Sequence, residues 1–178
     1  MTTFDALLDL DGNGRPIYGD SPFRVIKDHT FVGSNATVVV PLFTLTGAVM
    51  ITRLWGVITT DLGSNHTVAS WRLNDQTAQV YLTAVGGTIL SAIKAGSVII
   101  KDKLVAVALT KIDNVAGAVS EAATAGIPIF SPVIIAKKTG ALTQIEYRYA
   151  TTNTPTTGAI RFFVSYLPIS SDGVLETA

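Results

Sequence analysis

The sequence predicts an all-β protein: an antiparallel β-sandwich or jelly-roll-like domain over residues 23–178, preceded by an irregular N-terminal arm over residues 1–22. Three observations predict it. Val, Ile and Thr recur throughout, and their stiff, branched side chains suit a pleated surface. Strand-length apolar or alternating runs come at short intervals, punctuated by Gly, Pro, Asn and Asp, as in sandwiches and barrels. Helical periodicity is scarce. The one helical candidate, from Asn114 to Gly126, is alanine-rich but carries Gly117 and is followed by Pro128, so helix and loop both remain open.

In the arm, Leu7, Leu8 and Leu10 suit a short helical turn before Pro16, Gly19 and Pro22 interrupt the chain. Strand-like runs then start at Phe23, Thr37, Ala48, His66, Ala78, Gly87, Ser97, Ile127, Ala141 and Ala159. The run from Ala48 is apolar on both faces, the pattern of a strand covered twice. In the run from His66, Thr67, Ala69, Trp71 and Leu73 alternate with His66, Ser70 and Arg72. Near the C-terminus Ile145, Tyr147 and Tyr149 share one face, opposite Glu146 and Arg148. Ile160, Phe162, Val164 and Tyr166 share another, opposite Arg161 and Ser165. The polar, turn-forming TTNTPTTG between these two runs predicts a hairpin.

Composition narrows the function. Of 178 residues, 48% are hydrophobic and only 15% charged, so much of the surface is expected to be covered, most simply by copies of the same chain. Thirteen basic and thirteen acidic residues cancel without a basic block, which argues against a nucleic-acid groove. No cysteine is present, so disulfides, thiolate metal sites and a cysteine nucleophile are excluded. The N-terminus lacks the pattern of a signal peptide and no apolar run suits a membrane span, so no membrane association is expected. Asn35 and Asn65, in N-x-T sequences, are accordingly expected to be unglycosylated.

The segment DLDGNGRPIYGD resembles a calcium loop, with Asp9, Asp11, Asn13 and Asp20 at ligand-like offsets around Gly14. A calcium loop of this kind needs a helix leaving it, and Pro16, Gly19 and Pro22 forbid one. An Asp/Asn/Gly-rich turn is therefore preferred, with no metal and no cofactor. His29 and His66 lack partners at ligand spacing and are expected to be partly exposed strand histidines. Gly86 and Gly87 suit a turn. Trp55 and Trp71, among apolar neighbours, are expected in the core or at a subunit interface. Tyr147, Tyr149 and Tyr166 suggest a cross-strand aromatic ladder. No acid/base pair or nucleophile elbow is evident, and no catalytic residue is expected.

The stretches VMITRLWGVITTDLGSNHTVASWRLNDQTAQVYLT and GAIRFFVSYLPIS resemble the small decoration or cement proteins of tailed-bacteriophage heads. The resemblance lies in texture, an uncharged Val/Thr/Ala-rich β domain ending in an aromatic strand, rather than in an invariant motif. It implies a non-enzymatic virion structural protein, made in the host cytoplasm and carried on the capsid exterior. Such a protein binds the major capsid protein as a homotrimer, with an arm that clasps the shell or an adjacent subunit. The alternative is a carbohydrate- or receptor-binding β-sandwich of a phage fibre.

Overall fold

A computed structural model describes residues 23–32, 37–63, 66–85, 90–101, 107–112, 132–150 and 157–178. The N-terminal arm with Asp9, Asp11, Asn13 and Asp20, the segment from Asn114 to Gly126, the Gly86–Gly87 pair, and Asn35 and Asn65 lie outside them.

The described residues contain no helix and form eleven strands. These are β1 (Phe23–Thr30), β2 (Val38–Thr46), β3 (Ala48–Thr60), β4 (Thr67–Asn74), β5 (Gln79–Tyr81), β6 (Val98–Ile100), β7 (Thr110–Ile112), β8 (Val133–Ala136), β9 (Thr143–Ala150), β10 (Ala159–Pro168) and β11 (Val174–Thr177). Two antiparallel sheets pack as a sandwich. The first runs β1-β10-β3-β6-β7, with β8 end to end with β6 along β3, and the second runs β11-β2-β9-β4-β5.

The inner faces form one core. Leu54, Ile58, Phe162 and Val164 from the first sheet meet Phe43, Trp71, Ile145 and Tyr147 from the second, all fully buried. Tyr147 and Phe162 touch across the sandwich with ring centroids 5.0 Å apart. The alternation expected in β9 and β10 is therefore observed on their inward sides.

The expected β9–β10 hairpin is corrected. β9 pairs with β2 and β4, whereas β10 pairs with β1 and β3 in the opposite sheet. Turn residues permit a reversal but do not choose the sheet, and a connection from Ala150 to Ala159 is long enough to cross the ~10 Å between stacked sheets. Leu90–Ile93, expected as strand, lies in turns, and β11 was not anticipated.

Gly47 separates β2 from β3 with φ +60, a left-handed conformation. A Cβ there would collide with the Asp172 carboxylate and the Ser170 hydroxyl. The Ser170 hydroxyl also accepts a hydrogen bond from the Ala48 amide at 2.7 Å, tying this corner to the turn before β11. Gly47→Ala is expected to cost about 2 kcal/mol, combining a left-handed alanine with a steric clash. Urea denaturation checks this, and an unchanged midpoint would contradict it.

Candidate functional site

The two outer faces of the sandwich differ in chemistry. On the second sheet, Arg72 and Glu146 are cross-strand neighbours on β4 and β9, pointing away from the core. They are nevertheless buried, 7% and 4% exposed. Arg72 donates from Nε to Glu146 Oε2 at 2.6 Å and from Nη1 to Gln79 Oε1 at 2.6 Å. Asn74 donates to Glu146 Oε1 at 2.9 Å. The polar groups around this ion pair thus satisfy one another. The adjoining turn is equally self-contained. Asp75 Oδ1 accepts from the amides of Ala78 at 2.6 Å and Thr77 at 2.9 Å, and these hydrogen bonds hold its carboxyl down at about 2.

The outer face of the first sheet carries an apolar central row with charged residues beside it. Strand alternation turns Ile26, Phe163, Trp55 and Ile100 outward in one cross-strand row through β1, β10, β3 and β6. Trp55 and Phe163 stack with centroids 5.0 Å apart and planes 4° from parallel. The centroid separation is close to the strand spacing, so the rings stand on the sheet face to face, with their edges outward. Val57 lies half-buried on the same face, next to Arg161 and Val98 on the neighbouring strands. Two residues to either side of Ile26 on β1 lie Arg24 and Asp28. Asp28 forms a bidentate pair with Arg161 at 2.7 and 3.0 Å, which holds the Asp28 carboxyl below the usual carboxylate range. Arg24 has no ionic partner among the described residues.

The core contains a third arrangement, which the sequence reading missed. His66 is fully buried, correcting the expectation of partial exposure. Its Nε2 lies 2.7 Å from Tyr147 Oη, and its ring stacks on Tyr149 at 4.4 Å and 11°. Phe31 meets it edge-on at 4.9 Å. The reason is a bulge in β4. Val68 has φ 58 and the β4–β9 register shifts between Thr67 and Ser70, so His66 faces inward along with Ala69 and Trp71. A β-branched residue with positive φ carries no sequence signal that simple alternation could detect. Burial, with a smaller contribution from the charge of His29, pushes the His66 imidazole down to about 3. His29 is half-buried and stacks edge-on against Phe31 at 4.8 Å.

Trp71 is core, whereas Trp55 lies half-buried on the outer face. Tyr147 and Tyr149 are neighbours on β9. Tyr166 is not part of their ladder, because it lies in the opposite sheet against Phe23. Among the described residues no three His, Asp or Glu side chains gather as a metal site, and no helix is long and apolar enough to cross a membrane. No protein-family profile, curated protein or solved structure matches the chain.

Proposed function

We propose that this chain is a non-enzymatic structural subunit of a tailed-phage virion, a cement or decoration protein that self-associates and binds the major capsid protein on the outside of the shell. The observation that carries the reading is the contrast between the outer faces. On the second sheet Arg72, Glu146, Asn74 and Gln79 satisfy one another, while the first sheet presents a central apolar row that includes Trp55 and Phe163. Such a surface suits broad contact with another protein.

Strand order supports the same reading. Counting only β1–β6, β9 and β10, the sheets run β1-β10-β3-β6 and β2-β9-β4-β5. That is the order of a jelly roll, an architecture used by viral capsid domains and by lectins. This support is analogy at the level of fold, and the identity of the shell rests on the resemblance in Val49–Thr83 and Gly158–Ser170. The fibre alternative would require an open aromatic face for a sugar ring. Trp55 and Phe163 instead cover one face of each other, and Asn74 and Asp75 are engaged within the fold.

Co-sedimentation with emptied heads of the phage that encodes the chain tests the reading. The purified protein should pellet with the heads, saturate at a fixed copy number and raise the temperature at which they burst. Heads that neither bind it nor gain stability would sink the proposal. Saturable binding to glycans in place of heads would transfer the chain to a fibre.

A further inference from the structure

We infer that the outer face of the first sheet is a self-association surface, on which a second copy of this chain packs face to face about a two-fold axis. This rests on the self-association proposed above and adds the face and its symmetry. Three observations carry it.

The first is extent. β1, β10 and β3 are 8, 10 and 13 residues long while β6, β8 and β7 have 3, 4 and 3, so at about 3.3 Å per residue and about 4.8 Å per strand the face covers roughly 650 Å², approaching the ~800 Å² that each partner contributes to a standard interface. The second is composition. The central row of Ile26, Phe163, Trp55 and Ile100 contains two aromatic residues and no charge, with Arg24, Arg53 and the Asp28–Arg161 pair on the strand positions around it. An apolar, aromatic centre with arginines around it is the composition of a protein interface core and its margin.

The third is charge placement. A two-fold interface must be self-complementary, each patch meeting its own copy. An axis running across the strands along the central row lays that row on itself and reverses the strand direction. Arg24 of one copy then lies over Asp28 of the other, and this contact occurs twice. The Asp28 carboxylate has lone pairs enough to keep Arg161 and accept a second guanidinium. The two sheets would pack with strands aligned to within about 30°, the usual geometry for stacked sheets. A three-fold ring, the order expected from the sequence, would instead set this face against a different patch, so that the Arg24–Asp28 match would not arise.

Sedimentation equilibrium of the full chain at micromolar concentration reads the outcome. The expected mass is twice 18.7 kDa. Arg24→Asp should weaken the pair about tenfold or more by setting like charges together, and the double variant Arg24→Asp/Asp28→Arg should recover most of the loss. Phe163→Asp, on the axis row and so set against its own copy, should give a monomer with an unchanged far-UV spectrum, and the exposed Arg24 variants keep the test decisive if it fails to fold. A wild-type mass near 18.7 kDa or near three times that value overturns the inference, as does a double variant no tighter than Arg24→Asp alone. The two readings fail separately. A monomer that still pellets with heads defeats the paired face and leaves the shell reading standing. A dimer that ignores heads does the reverse.

Discussion

Replacing Glu146 with alanine is expected to destabilise the protein by about 3–5 kcal/mol, the cost of leaving a buried charge without its partner. Arg72 is 7% exposed and would lose its 2.6 Å contact with Glu146. Its guanidinium would keep only Gln79, through Nη1, and Asn74 would lose its acceptor as well. Water cannot readily replace these partners, because Glu146 itself is only 4% exposed. The same reasoning predicts strong non-additivity. The double variant Arg72→Met/Glu146→Leu removes both charges and fills similar volume, so it should cost far less than the two single changes together. Urea denaturation of the wild type, the two single variants and the double variant measures the coupling. A loss below about 1 kcal/mol for Glu146→Ala would mean that the pair behaves as an exposed one.

Acidification is expected to weaken the fold well before its carboxylates titrate. His66 holds its imidazole neutral down to about 3 because burial disfavours the imidazolium, and Nδ1 has no acceptor within the cluster. The groups around it are Tyr147, Tyr149 and, beyond Phe31, His29. Tyr147 stays protonated, since burial raises its phenol well above its ordinary value. The unfolded chain takes up a proton on His66 near pH 6.5 while the folded chain does not, so stability falls as pH falls through this window. The full difference amounts to roughly 5 kcal/mol, lost progressively between about pH 6.5 and pH 3 and levelling off once both states carry the proton. His29, whose pKa burial also lowers, adds to the slope in the same direction.

Asp75 titrates at lower pH, so the interval from pH 6.5 to about 4.5 isolates the histidines. His66→Phe should keep the stacking and lose the pH slope contributed by one proton. At neutral pH it should cost about 1–3 kcal/mol by leaving the Tyr147 hydroxyl without its partner. Thermal midpoints of both proteins across this interval provide the check. A wild-type curve flat from pH 6.5 to pH 4.5 would show that His66 accepts its proton inside the fold.

The β class, the separation into many short strands, the inward sides of β9 and β10 and the burial of Trp71 were all legible in the sequence. These properties are local. Side chains alternate with a period of two residues, and an apolar row on one side of a strand needs a core whatever its partner strand. The partner strands, the burial of His66 and Glu146, and the outward position of Trp55 were decided only in the tertiary structure. Pairing β9 with β2 and β4 is a long-range choice that the turn before β10 does not encode. His66 faces the core because one residue, Val68, adopts a left-handed conformation and shifts the alternation. The apolar neighbours of Trp55 leave core and subunit interface both open, and β3 decides between them by giving its inner side to Leu54, Gly56 and Ile58 and leaving the indole to meet Phe163 outside. A strand's sequence specifies which residues share a side. Which side becomes the interior depends on the sheet packed against it, and that sheet is built from residues far away along the chain.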